Sequence, residues 1–267
     1  MNPLLRIALC LAASAALAGL ALWKKALTPG GLALAFVLSL VICFCGGLAG
    51  YLALAATFVF TVAAGKISGA RRERTEKALH AKTGRRDAAQ VFCNVFVGAL
   101  MLLLWRLTAY RGFLWAGGGA LAASLADSMA SELGVLSKRA PRDILTWKRV
   151  QAGLSGGVTA LGFGMSALGA ALVALVFALP KDGPGFGAFL DVTAAGFFAA
   201  VCDSALGSGV QVKYRCGVCG ALTEKPVHCS INCTPERGFV WMTNDTVNFC
   251  NNILGALAAL ALYQLRN

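Results

Sequence analysis

The chain alternates long apolar runs with short polar, mostly basic segments. The runs fall at roughly 4–23, 31–45, 47–65, 88–106, 112–136, 153–179, 187–210 and 244–264. About 20 apolar residues cross the hydrocarbon core of a bilayer. The pattern therefore predicts an all-α, polytopic membrane protein of about eight transmembrane helices, a single transmembrane domain over 1–267. The stretch 31–65 is too long for one helix. Gly46, Gly47 and Gly50 sit at its middle, so a tight helical hairpin is expected there. The first run has signal-like features, with Arg6 near its start and Ala-rich, cleavage-like sites. Lys24 and Lys25 follow it directly and further spans come after, so it reads as a retained first span.

Composition supports this reading. The chain is 58% hydrophobic and 13% charged, whereas a soluble domain carries about 25% charge. A soluble fold of this size could not hide so much apolar surface. The 31 glycines suit close helix approach inside a membrane.

The distribution of charge orients the spans. The loops 24–30, 66–87, 137–152 and 211–243 lie on one side of an eight-span topology. The other side holds Arg6, Arg106, Arg111, Lys181 and Arg266, so the first set carries 19 of the 24 basic residues. Lys and Arg near membrane ends mark the cytoplasmic side. An inner or plasma membrane is expected, with both termini outside and a functional face towards the cytoplasm. The cluster Arg71 to Lys77 reads as a face for lipid headgroups. Topology and anionic lipid account for much of the +12 net charge. No nucleic-acid-binding motif appears, so no such partner is expected. A homo-oligomer is compatible with the sequence, which does not specify one.

Twelve residues are acidic, and four of them, Asp127, Glu132, Asp203 and Asp245, lie within or at the ends of apolar runs. A carboxylate there costs roughly 2.5–3.5 kcal/mol on insertion scales unless paired, solvated or bound to a cation. All four fall near the basic side, where they could converge on one cleft. Asp127 and Ser131 share one helix face, and Ser128 and Glu132 the neighbouring one. Such oxygen ligands suit a hard cation such as Mg²⁺. The strings Ala126-Asp127-Ser128 and Cys202-Asp203-Ser204, each followed by a glycine (Gly134, Gly207), have the look of a short internal repeat. The last run begins Asn244-Asp245-Thr246-Val247-Asn248 and continues to Asn251 and Asn252. Its amides serve either as polar glue between helices or as metal and phosphate ligands.

Two loops add phosphate-binding candidates. One reads Thr146-Trp147-Lys148-Arg149 and then Gly153-Leu154-Ser155-Gly156-Gly157. The glycines are expected to open a helix whose first N–H groups bind phosphate beside Lys148. It lacks the order of a Walker motif. The other carries Arg85, Arg86 and Asp87, with Gln90 and Asn94 on one helix face after them.

The segment 211–243 holds Cys216-Gly-Val-Cys219, His228-Cys229 and Cys233, a spacing suited to zinc. Thiols on the cytoplasmic side stay reduced. Cys216, Cys219 and Cys229 are the firmest ligands, while His228 and Cys233 compete for the fourth place. A closed site would be structural, folding a cytoplasmic insert short of a core of its own. Cys10, Cys43 and Cys45 read as small apolar residues.

Several strings together resemble an integral-membrane family that includes the plant phytyl-phosphate kinase of the vitamin E pathway. They are Arg86-Asp87-Ala-Ala-Gln90-Val-Phe-Cys-Asn94, Asp127-Ser-Met-Ala-Ser131-Glu132-Leu-Gly134, Gly153-Leu-Ser-Gly156-Gly157-Val, Asp203-Ser204-Ala-Leu-Gly207 with Gln211, and Asn244-Asp245-Thr-Val-Asn248. That family is distantly similar to membrane CTP-dependent cytidylyltransferases and isoprenoid-lipid kinases. The resemblance implies phosphoryl transfer from CTP or another nucleoside triphosphate to an isoprenyl monophosphate in the membrane. It implies that Asp127, Glu132, Asp203 and Asp245 hold Mg²⁺, and that Asn248 and Gln211 complete the shell or orient phosphate. Lys148, Arg86, Gly156 and Gly157 would bind nucleotide phosphates, with Gln90, Asn94 and Ser131 lining the substrate site. The chain departs from the family's more usual Asp-Thr at Asp127-Ser128 and from its more usual Gly-Thr at Gly153-Leu154. Two other readings remain: a cation- or proton-coupled transporter, and a cytidylyltransferase that makes a CDP-lipid.

Overall fold

A computed structural model describes residues 3–79 and 84–267, with the side chains of 4–69 and 84–267. The side chains of Arg71, Arg72, Arg74 and Lys77, and residue Lys82, lie outside that description. Among the described residues seven long helices follow in order: α1 (Pro3–Trp23), α2 (Pro29–Leu79), α3 (Ala88–Thr108), α4 (Arg111–Gly134), α5 (Ala160–Ala178), α6 (Phe189–Gly209) and α7 (Asn244–Arg266).

Six of these helices are long and apolar enough to cross a membrane, including a 41-residue stretch, Pro29–Gly69. At 1.5 Å per residue that stretch would run about 60 Å, twice the hydrocarbon thickness. It turns back instead at Gly47, whose φ of 60° and ψ of −150° are non-helical. The return is tight: a Cβ on Gly50 would lie 3.2 Å from the carbonyl oxygen of Ile42. The Asp182 carboxylate caps the new helix start by accepting the Leu48 N–H at 2.6 Å. The hairpin expected from Gly46, Gly47 and Gly50 is therefore present. Its second arm continues past residue 65 to Leu79, with another break at Gly69. The segment 66–79 is thus helical rather than loop, as its Ala, Arg, Glu, Lys and Leu content favours once it leaves the bilayer.

The helix outside the six, α4, is the least lipid-like and the most enclosed. It packs on α2, α3, α5, α6 and α7, and most of its residues from Gly112 to Leu133 are buried. Protein rather than lipid surrounds it, so Ala, Gly and carboxylates are tolerated. A Cβ on Gly119 would run into the Gly255 carbonyl, so α4 and α7 approach backbone to backbone. With the α2 hairpin and α4 counted, eight antiparallel segments cross the bundle.

Pairings at the two ends agree with that alternation. Far from the basic loops, Arg266 grips Asp191 at 2.7 and 2.8 Å, and Arg6 donates to the Phe44 carbonyl. At the basic end lie short strands: β1 (Arg142–Asp143), β2 (Gly157–Val158), β3 (Lys213–Arg215), β4 (Leu222–Thr223), β5 (Val227–His228), β6 (Ile231–Asn232) and β7 (Thr234–Arg237). β1 pairs with β2, β5 pairs with β6, and β3 lies between β4 and β7. The glycine segment 153–157 does not open a helix, contrary to the sequence expectation. Gly157 pairs with Asp143 in the β1–β2 ladder, and α5 starts later, at Ala160, with Thr159 as its N-cap. Positive φ at Gly153 (86°) and Gly156 (87°) excludes both from a right-handed helix.

Candidate functional site

Asp127 on α4 and Asp203 on α6 meet within hydrogen-bonding reach, and Glu224 is the next carboxylate facing Asp203. The two aspartates of the repeated Asp-Ser strings thus share one place, on helices that run the same way. The Asp203 Oδ2 is buried and has no hydrogen-bond partner among the described residues. A buried oxygen anion without a donor carries its full desolvation cost. Cys250 of α7 also faces Asp203. Asp245 stands five residues before Cys250 in the first turn of α7, about 7 Å nearer the basic surface and turned about 140° around the helix, so it is not stacked over the Asp127–Asp203 pair.

Glu132 belongs elsewhere. Five residues after Asp127, it is turned about 140° around α4. It is buried and receives a weak hydrogen bond from Ser68 at 3.4 Å. It lines a cavity of about 320 Å³ between α1, α2, α3 and α4. Lys24, Lys66, Arg86 and Gln90 line that cavity where these helices reach the basic end, and Leu17, Phe36, Phe58 and Val95 line it deeper. From Lys24 to Ser14 it runs about 15 Å along α1. Four carboxylates on one cleft were expected; the structure pairs Asp127 with Asp203 and puts Glu132 on the opposite side of α4.

Two residues on the cavity wall hold the fold together. Gln90 closes a capping box with Asp87, accepting its N–H at 3.1 Å while its own N–H reaches Asp87 Oδ1 at 2.9 Å. Asn94 donates to the Gln90 carbonyl at 2.8 Å and accepts from Ser124 at 3.2 Å, tying α3 to α4. The Arg86 backbone is pinned to Ala26 and Thr28, which holds its side chain at the cavity mouth. Ser131 is exposed and its hydroxyl donates to the Ser128 carbonyl. In α7, Asn251 is buried and donates to the Ala123 carbonyl at 3.2 Å, as polar glue would. Asn248 is half-buried and accepts from Asn252 through its carbonyl.

The glycine loop packs on the end of α6 beside the aspartate pair. A Cβ on Gly207 would lie 3.0 Å from Gly156 N. Ser155 is gripped from three sides. Lys213 Nζ donates to its carbonyl at 2.7 Å, Glu224 accepts its N–H at 3.0 Å, and Gln211 Nε2 donates to its hydroxyl at 3.1 Å. Asp143 accepts from Ser208 Oγ at 2.6 Å and from the N–H groups of Leu145 and Thr146. Burial alone would raise the Asp143 carboxyl, but these bonds hold it below the usual carboxylate range. Lys148 is exposed at the tip of the same loop. Sequence reasoning missed Asp143, Lys213 and Glu224, which lie outside the apolar runs; only the folded loops reveal their burial.

Lys213 is fully buried. Burial and Arg237 lower its pKa to about 8, partly offset by Glu224 and Asp143. The unfolded value is near 10.5, so the folded state releases the proton first. Stability therefore rises as pH climbs through 8 towards 10.5, by at most about 1.4 kcal/mol per pH unit. Thermal midpoints from pH 7.5 to 9.5 should climb relative to those of Lys213→Met. Parallel curves for the two proteins would remove Lys213 as the source.

Comparison with known proteins now places the chain. Residues 12–256 match the family described as integral membrane protein DUF92. The chain belongs to that family. It is 27% identical over 246 residues to an uncharacterized membrane protein of Synechocystis, covering 90% of this chain and 83% of that one. It is 29% identical over 173 residues to an uncharacterized membrane protein of Methanocaldococcus jannaschii, covering 64% and 61% of the two chains. It is 27% identical over 255 residues to Protein PGR of Arabidopsis thaliana, covering 78% and 84%. No solved structure matches the chain significantly. Most of the bundle, the Asp127–Asp203 pair, Glu132 and the cysteine segment fall inside the family match.

Proposed function

We propose that this member of the DUF92 family is a membrane phosphotransferase. It moves a phosphoryl group from CTP or another nucleoside triphosphate to an isoprenyl, phytyl-type monophosphate, at a basic face turned to the cytoplasm. The observation that carries this reading is the pair Asp127–Asp203, with its partnerless buried oxygen, set against a glycine loop at the basic end of the bundle.

The pair fits a hard cation. Both groups are carboxylates, and the buried Asp203 Oδ2 has no hydrogen-bond donor among the described residues, which leaves it open to a cation. Asp127 and Asp203 would hold Mg²⁺ there, and the bound ion would neutralise and orient phosphate charge; Asp245 and Asn248 stand nearer the surface, on other faces of α7 than Cys250. The chain's own groups do the rest. Gly156 and Lys148 offer a backbone N–H group and a cation to the nucleotide phosphates, and Gln211 and Lys213 fix the loop that presents them; the Gly157 N–H, expected from the sequence to share that role, is taken by the Leu154 carbonyl at 3.0 Å. The cavity takes the isoprenyl tail among Leu17, Phe36, Phe58 and Val95, and Lys24, Lys66 and Arg86 draw its phosphate to the mouth; Arg86, expected from the sequence on the nucleotide phosphates, is given to the lipid phosphate because it lines this cavity. An acceptor phosphate oxygen attacks the γ-phosphorus, the bond from that phosphorus to the bridging oxygen breaks, and nucleoside diphosphate leaves. No separate base is needed, because the acceptor oxygen is already anionic.

The test is transfer of label from γ-labelled CTP or ATP to phytyl and other prenyl phosphates by purified protein in detergent. Formation of prenyl diphosphate with nucleoside diphosphate release is expected. Arg86→Ala should raise KM for the lipid about tenfold with less change in kcat, since a lost charged hydrogen bond costs about 1.5 kcal/mol or more. Pyrophosphate release would instead identify cytidylyl transfer. Ion-coupled solute uptake into proteoliposomes without any transfer would replace this reading with a transporter.

A further inference from the structure

The cysteine segment lies apart from the carboxylates and the phosphotransfer reading makes no use of it. Cys216, Cys219, His228 and Cys229 each present a ligand atom, and the four atoms lie within 4.8 Å of one another. The His228 Nδ1 is 3.5 Å from Cys219 Sγ and 3.2 Å from Cys229 Sγ, and those two sulfurs are 3.8 Å apart. Bonds of about 2.3 Å to sulfur and about 2.05 Å to nitrogen define a tetrahedron with edges near 3.8 Å and 3.6 Å. These three separations are close to those edges. Left-handed backbone at Cys229 (φ 50°) and Ser230 (φ 61°) makes the β5–β6 turn that swings Cys229 back towards Cys219. Cys233 is buried beside Cys216 and stands outside the set of four.

We infer that Cys216, Cys219, His228 and Cys229 bind one structural zinc ion, which clamps the glycine loop through the β3–β4 hairpin. The connection runs through the chain itself. The segment 216–221 joins β3 to β4. Lys213 stands at the start of β3 and Glu224 just beyond β4, and these two hold the carbonyl and N–H of Ser155. A hairpin of five strand residues has almost no core with which to fix that grip. Four ligands from two turns supply the missing constraint, as in other small metal-folded units. The ion would be closed to substrate, since all four positions belong to the protein.

The experiment is metal analysis of protein purified in detergent under reducing conditions, and it does not depend on any activity. About one zinc per chain is expected. Co²⁺ exchanged into the site should give intense thiolate charge-transfer bands and the visible absorption of a tetrahedral ion. Cys219→Ser and His228→Ala should weaken retention against a chelator at least about tenfold. Cys233→Ser should retain the metal, and His228→Cys should retain it with stronger thiolate absorption. Removing the metal should speed hydrogen exchange at residues 153–157. Absence of zinc together with no cobalt spectrum overturns the inference, as does a disulfide between Cys216 and Cys219 in the purified protein. Loss of metal in Cys233→Ser with retention in His228→Ala overturns this ligand set. Exchange at 153–157 that ignores metal removal overturns the clamp.

Discussion

Asp203→Asn is expected to abolish phosphoryl transfer and, at the same time, to stabilise the protein. The two effects share one cause. Asp203 places an oxygen in a buried position without a donor, next to Asp127 and with Glu224 also facing it. Like charges in a low-dielectric site repel, and each costs desolvation. Such an arrangement burdens the fold, and a bound cation would offset that cost. Asparagine keeps the shape, removes one charge and can donate to Asp127. The apparent thermal midpoint should therefore rise by about 2–4 °C, equivalent to about 1 kcal/mol. Turnover should fall at least about 10³-fold, or ~4 kcal/mol of barrier. Asp127→Asn should move both quantities the same way. A variant that keeps turnover within tenfold of wild type and melts earlier would show the pair to be structural, and the proposed site would fall.

The sequence disclosed those two aspartates because a carboxylate in an apolar run is anomalous on its face. It disclosed the α2 hairpin for a similar reason: the apolar stretch 31–65 is too long for one crossing, and Gly46, Gly47 and Gly50 mark its middle. Placement around a helix was less legible. Asp127 and Glu132 both lie on α4, but only the identity of the neighbouring helices decides that one meets α6 while the other faces the cavity beside α2. The glycine loop was misread because Gly-rich strings precede helices and build turns equally well. Here the β1–β2 pairing and the positive φ values settle the matter. Lys213, Glu224 and Asp143 lacked any one-dimensional signal, since a charged residue in a polar loop is ordinary until long-range packing buries it. The approach of His228, rather than Cys233, to Cys219 and Cys229 likewise depends on a left-handed turn that spacing alone does not encode.

That loop is also where a single methyl group should do the most harm. Gly156 has φ 87°, which costs an alanine about 1–2 kcal/mol. Its Cβ would stand 2.5 Å from Ser208 N and Cα. Those are backbone atoms of α6, which cannot rotate aside as a side chain would, so the loop itself must lift. Lifting it strains the hydrogen bonds that Lys213, Glu224 and Gln211 make to Ser155. It also strains the Ser208–Asp143 bond that locks β1 to the same helix end. Gly156→Ala should thus lower stability by about 2–4 kcal/mol and turnover at least about 10²-fold, the usual consequence of displacing a positioning element by an ångström. Gly164→Ala is the matched control. Gly164 lies in α5 with nothing within 4 Å of an added Cβ, and the change should stabilise the helix by about 0.5–1 kcal/mol. Measured together by thermal melting and label transfer, the pair separates a loss caused by the loop's seat on α6 from a general intolerance of added methyl groups. If Gly156→Ala behaved like Gly164→Ala, the loop would not be seated on α6 as described, and the glycines would have no part in holding phosphate.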